Sequence, residues 1–178
     1  MKYYKYQDVF SPIDGGVTYI ETTEGIVYRQ ITVNGEKYLM SNFNYPEWGM
    51  MMAEGQIDYT DIEEVQEISK AEFDSVWHTH LSDHQVHWNR TKQKYSSGSV
   101  VTGFIQIFYP QGVIVNLDED SLGVANYAEC RASAKPEWMY PGYRVDATVA
   151  DYDELNHWLV LEKPRVYNER LKDYRVNL

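Results

Sequence analysis

Four of the five histidines fall in one short window: His78, His80, His84 and His87. If a helix carried through them, His80, His84 and His87 would lie along one face at i, i+4 and i+7. Imidazoles at i, i+4 can share a metal ion. The glutamate that acts as general base in the zinc-protease helix is missing, and Cys130 lies far away in the chain. Ser82-Asp83 reads as a helix end, where histidine favours the C-terminal dipole. A zinc site needs three or four ligands, so neither metal nor cofactor is expected. Cys130 stands beside Arg131, and a neighbouring cation lowers a thiol pKa. A lone cysteine near a strand end nevertheless packs as a small apolar residue. The acidic run Asp58, Asp61, Glu63, Glu64 and Glu67 does not follow a calcium loop and reads as a solvated strand edge. There is no Walker-type phosphate loop, no G-x-S-x-G elbow and no paired-cysteine metal motif. No enzymatic activity is expected.

Composition narrows the partners. The 178 residues carry 16 Lys and Arg against 27 Asp and Glu, for a net charge of −11, which disfavours general nucleic-acid binding because phosphates need clustered cations. Charge is uneven along the chain. Residues 89–97 hold Arg90, Lys92 and Lys94 with no acid, and residues 164–178 hold Arg165, Arg170, Lys172 and Arg175 against Glu169 and Asp173. One cysteine fits a reducing compartment. The opening MKYYKYQDVF has no apolar signal region, and no run of about 18 apolar residues occurs. A soluble, cytoplasmic protein without a membrane span is expected.

The elements that must position these groups read as mainly β, in two modules. Residues 1–88 form an α+β unit. Its β-meander runs over Met1–Val9, Val17–Thr22, Ile26–Val33 and Lys37–Ser41, with turns at Glu24-Gly25 and Asn34-Gly35. Val27, Arg29, Ile31 and Val33 alternate onto one face. Ser69-Lys70-Ala71-Glu72 is a capping box, and Phe73, Val76, Trp77, His80 and Leu81 follow at helical spacing. A helix over 70–81 is predicted to close on the sheet. Met50-Met51-Met52 read as fillers under a loop. Residues 89–97 read as a polar linker.

Residues 98–164 read as a five-stranded Greek-key barrel, the OB-fold, followed by a tail at 165–178. The stretch carries Gly98-x-Val100-x-x-Gly103-x-Ile105, then Gly112-Val113-Ile114-Val115, then Gly123-Val124-Ala125-Asn126-Tyr127. Pro141-Gly142-Tyr143-Arg144-Val145, Val149-x-x-x-Asp153 and Leu159-x-Leu161 complete it. In this order the stretch resembles the S1-type RNA-binding domain, over a little more than a third of the chain. The resemblance implies bases stacked on aromatics beside the Gly112 turn, with a histidine and a basic residue nearby. Here the aromatic positions fall on Gln111 and Ile114, the histidine position on Asn126, and the basic position near His157 or Trp158. Asp153 keeps the family's residue. Phe108, Tyr109, Tyr127 and Trp158 are the neighbouring rings able to substitute.

The function implied is binding of RNA or single-stranded nucleic acid. Phe108, Tyr109, Tyr127 and Trp158 would stack, and Asn126 and Gln111 would hydrogen-bond. Arg90, Lys92, Lys94 and Arg165 would form a phosphate collar. The alternative is a protein-interaction or dimerisation module that kept the scaffold and lost the RNA face. The sixteen tyrosines and five tryptophans suit that role, because Trp and Tyr are favoured at interface hot spots.

Overall fold

The hairpin of Val17–Thr23 with Ile26–Asn34 turns on Glu24 and Gly25, whose φ angles are 53° and 79°, the signature of a two-residue type I′ connection. The computed structural model describes residues 1–62 and 64–171. Glu63 of the acidic run and Lys172, Asp173 and Arg175 of the tail lie outside the described residues. The chain divides into two compact units, Met1–Gln85 and Val86–Leu178.

The first unit is a five-stranded antiparallel sheet in the order β4-β3-β2-β1-β5. Its strands are β1 (Lys2–Gln7), β2 (Val17–Thr23), β3 (Ile26–Asn34), β4 (Lys37–Met40) and the short β5 (Gln66–Glu67). β5 pairs on the edge of β1 and places Glu67 of the acidic run there, whereas Asp61 lies in a short 3-10 turn, Tyr59–Asp61; a charge on an edge strand deters further pairing. The alternation expected for β3 does not run through. The β2–β3 register shifts so that Glu21 opposes Arg29 and Thr22 opposes Val27, leaving Tyr28 as the extra residue of a bulge. A one-residue insertion turns the following side chains over. Ile31 therefore packs with Tyr3, Met40, Phe73, Trp77 and Leu81, whereas Val27 packs with Tyr4, Ile20 and Tyr59.

Helix α1 (Lys70–Leu81) supplies Phe73, Trp77 and Leu81 to the first of these cores. Ser69 is its N-cap, and Ser69 Oγ accepts a hydrogen bond from Glu72 N at 3.1 Å. The carboxylate of Glu72 binds Lys5 Nζ at 2.7 Å, so the cap is a single hydrogen bond and an ion pair rather than a reciprocal box. Met52 packs against the Tyr4–Tyr59 core, in keeping with a gap-filling thioether.

The second unit opens with helix α2 (Gln85–Lys94) in the stretch that reads as linker. Most of α2 is polar and solvated. Its anchor is Trp88, fully buried in the core of the unit, with Thr91 and Tyr95 following at helical spacing on the same side. Trp88 Nε1 donates to Glu154 Oε2 at 2.7 Å, and its ring stacks on His157 at 5.1 Å. Such a narrow stripe is overlooked when composition is averaged over the segment.

A closed barrel follows, in the order β10-β8-β7-β6-β9, with β9 hydrogen-bonded back to β10. The strands are β6 (Val100–Tyr109), β7 (Gly112–Asp118), β8 (Ser121–Ala125), β9 (Tyr143–Asp153) and β10 (Trp158–Arg170). β10 runs parallel to β8 at Leu159–Leu161, and the remaining pairs are antiparallel. Val101, Ile105, Val113, Val115, Val145, Val149, Leu159 and Leu161 fill the interior, one from every second position, as a small barrel requires. This architecture is consistent with an OB-like barrel. One boundary differs from the sequence reading. β10 continues through Arg170, so the first part of the expected tail is strand. The crossing from β8 to β9 contains helix α3 (Tyr127–Ser133).

Candidate nucleic-acid interface

The aromatic residues flanking the Gly112 turn meet different fates. Phe108, next to last in β6, is half-buried against the barrel core, and its ring meets that of Tyr127 edge-on, centroids 6.0 Å apart. Tyr127 is 45% exposed. It opens α3, and Arg131, one turn later, donates from Nη1 to the Tyr127 hydroxyl at 3.5 Å. Gln111 is half-buried in the turn. These residues share one end of the barrel.

Tyr109 and Trp158 do not offer stacking surfaces. Their rings contact each other at 6.3 Å, and they are only 9% and 1% exposed. A base needs an open ring face, so the expectation for these two is corrected. Ile114, between the core residues Val113 and Val115, is fully buried as well.

Asn126 and Asp153 are occupied as structural residues. Asn126 is the N-cap of α3, and its Oδ1 accepts from Ala128 N at 2.9 Å and Glu129 N at 3.1 Å. Asp153 Oδ1 accepts from Leu155 N at 2.9 Å and Asn156 N at 3.1 Å, and Oδ2 accepts from Asn156 Nδ2 at 2.7 Å. Asp153 thereby folds the β9–β10 turn.

The expected collar is not assembled around the rings. Lys92 pairs with Glu154 at 2.7 Å and Lys94 with Asp118 at 2.5 Å, both away from the Gly112 end. From Gly112 to Asp118, β7 spans roughly 20 Å at about 3.3 Å per residue. Arg90 is exposed on α2. With His87, Thr91, Lys94 and the Asp118–Ser121 turn it lines a shallow cleft of about 420 Å³, in which carboxylates face the cations. Arg165 is exposed on β10 and lies over the Tyr167 ring at 5.2 Å. Its neighbour Val166 donates its N–H to Ser133 Oγ at the end of α3, at 3.1 Å.

Asp118 illustrates how firmly these cations are held. Burial alone would raise its pKa, but hydrogen bonds from Lys94, Tyr95 and Ser121 outweigh burial and hold the carboxyl well below the usual range. A depressed folded-state pKa means that the stabilisation is complete above the unfolded value of about 4 and is lost as pH falls below it. Asp118→Asn is therefore expected to flatten the acid limb of a denaturation-against-pH profile below about pH 4. An unchanged acid limb would show that Asp118 carries none of that dependence.

The remaining reactive candidates are inert or dispersed. Burial, with Glu129 nearby, pushes the Cys130 thiol up to about 12. The adjacent Arg131 therefore does not activate it. Among the described residues no group of three or more His, Cys, Asp or Glu is arranged to hold a metal ion. His80 and His84 instead lie against the Tyr38 ring, and His87 bonds to the Asp120 carbonyl at 3.0 Å.

Arg131, the pair Lys135–Trp138 (5.5 Å to the ring centroid) and Tyr140, 60% exposed, escape a reading based on the Gly112 turn. The signal for Arg131 is present in the sequence. Asn126 with Glu129 three residues later marks a helix start, and a helix brings Tyr127 and Arg131 together at i, i+4.

No protein family, curated protein or solved structure matches this chain. Among the described residues no helix is long and apolar enough to cross a membrane.

Proposed function

We propose that the barrel is an S1-type module that binds single-stranded nucleic acid, RNA foremost, without catalysing a reaction. The observation that carries the reading is the exposed Tyr127 ring, braced edge-on by Phe108 and flanked by the Arg131 guanidinium, at one end of an OB-like barrel. A ring of this kind stacks any base, and each stacked base contributes about 1–3 kcal/mol. Arg131 and Lys135 supply the nearby positive charge. The binding mode differs from the one the S1 resemblance implies, because its platform beside Gly112 is replaced and Asn126 is committed to a helix cap.

Fluorescence anisotropy with mixed-sequence single-stranded RNA tests this directly. Tyr127→Ala is expected to weaken binding about tenfold. The salt dependence is expected to be shallow, with a log–log slope of about −1 to −2, because few of the described cations lie beside the Tyr127 ring to neutralise phosphate. Binding that survives Tyr127→Ala unchanged, or no binding at tens of micromolar protein, would overturn the proposal.

A second reading is favoured by the burial of Tyr109 and Trp158 together with the pairing of Lys92 and Lys94 by carboxylates. In it, the barrel keeps its scaffold for protein interaction or homodimerisation. Absence of RNA binding together with a stable dimer in sedimentation would support it. A dimer that also bound RNA would not.

A further inference from the structure

The sequence holds one Asn-Gly pair, Asn34-Gly35, and it stands at the tip of the β3–β4 hairpin. Asn34, the last residue of β3, pairs with Lys37 across Gly35 and Glu36. Gly35 has φ 60°, in keeping with the first central residue of a type II′ turn. Both Asn34 and Gly35 are exposed, and a Cβ on Gly35 would meet nothing within 4 Å. Every other asparagine is followed by a residue with a side chain. The Gly35 nitrogen is therefore the least hindered backbone nitrogen that follows an asparagine in this chain.

The Asn34 side chain also docks the loop that joins β1 to β2. Its Nδ2 donates to the Ile13 carbonyl at 3.1 Å and to the Asp14 carbonyl at 3.3 Å. Gly16 lies so close that a Cβ there would stand 3.2 Å from Asn34 Cβ. The loop is closed by Asp8 N, which donates to the Gly16 carbonyl at 2.8 Å, and by Gly15 N, which donates to the Ser11 carbonyl at 3.3 Å. Lys37 Nζ binds Asp14 Oδ2 at 3.0 Å. A carboxylate at position 34 has no hydrogen to donate, and it repels both carbonyl oxygens and the Asp14 carboxylate.

We propose that Asn34 is a site of spontaneous deamidation whose product releases this loop. The Gly35 backbone nitrogen attacks Asn34 Cγ and gives up its proton, and the Nδ2 group leaves as ammonia. Water then opens the succinimide to aspartate or isoaspartate. Ring closure requires the Asn34 amide to leave the Ile13 and Asp14 carbonyls, so the reaction proceeds through local opening of the hairpin tip. Isoaspartate also inserts a carbon into the main chain, which breaks the pairing of position 34 with Lys37. The inference is independent of the barrel and of its nucleic-acid reading.

The test ages the intact protein at neutral and at mildly alkaline pH, followed by peptide mapping that separates isoaspartate from aspartate. Asn34 is expected to convert at least about tenfold faster than any other asparagine, because no side chain on Gly35 hinders the attack. Asn34→Gln, which would have to close a larger ring, should stay unconverted over the same period. Amide hydrogen exchange at Asp8 and Gly15 is expected to rise at least about tenfold both in the aged protein and in Asn34→Asp. Conversion of Asn34 no faster than that of the other asparagines would overturn the assignment of the site. Exchange unchanged in both the aged protein and Asn34→Asp would overturn the release of the loop.

Discussion

Glu21→Gln is expected to lower the stability of the first unit by about 3–5 kcal/mol, the loss typical of breaking one half of a buried ion pair. Arg29 is 3% exposed, yet it carries a charge that no ordinary pH removes. Its Nε donates to Glu21 Oε2 at 2.5 Å and its Nη2 to Glu21 Oε1 at 3.1 Å. Nη2 also reaches Asp74 Oδ1 at 3.2 Å, and the guanidinium lies over the Phe73 and Trp77 rings at 4.8 and 5.2 Å. The Tyr3 hydroxyl donates to the same Glu21 carboxylate. Neutralising Glu21 leaves the guanidinium desolvated with Asp74 as its remaining charged partner. The double replacement Glu21→Leu/Arg29→Met removes both charges and is expected to return most of the stability, since apolar groups often replace a buried pair at little net cost. Denaturant unfolding, with amide exchange followed across β2 and α1, checks both. A single variant within about 1 kcal/mol of the parent would mean that water reaches the pair.

Gly112→Ala is expected to destabilise the barrel by about 3 kcal/mol or more. Gly112 opens β7 at φ 147°, and a Cβ there would stand 2.4 Å from the Ala125 carbonyl oxygen of β8. Backbone strain and a clash with a paired strand add together, and neither strand can yield without opening the β7–β8 ladder. Gly98 separates the two effects. Its φ is also positive, 88°, but a Cβ would meet nothing within 4 Å. Gly98→Ala should therefore cost only about 1 kcal/mol, the backbone term alone. Thermal unfolding of the two variants distinguishes close approach from conformational strain. Equal losses would show that the contact with Ala125 relaxes freely.

How much was legible depended on whether the deciding signal was local. Helix α1 was readable because Ser69 caps it and Phe73, Trp77 and Leu81 recur at its period. The barrel strands were readable because Val113 and Val115, and Val145, Ala147 and Val149, alternate with polar or outward residues. α2 was not, since Trp88 and Tyr95 are its few apolar anchors in a polar segment. α3 carried a cap at Asn126 that is easily mistaken for a ligand residue. Nothing local marks Tyr28 as a bulge, so Val27 was assigned to the wrong face of β3.

The candidate interface was less legible still. Phe108 and Tyr127 were found because they flank a glycine turn and a strand end. Tyr109 is only one residue from Phe108, yet it is buried, because neighbours on a strand point to opposite faces. The pairing of Lys94 with Asp118 and of Lys92 with Glu154 joins residues 24 and 62 positions apart.

The sequence by itself determined the mainly β class, the main turns, the capped helix and the acidic balance, all of which follow from residue type and short-range periodicity. Only the tertiary structure decided which rings stay open and which described cations remain unpaired, and that β9 returns to β10 to close the second unit's strands into a barrel. Those outcomes depend on contacts between distant segments, where burial and Coulomb attraction act through space rather than along the chain.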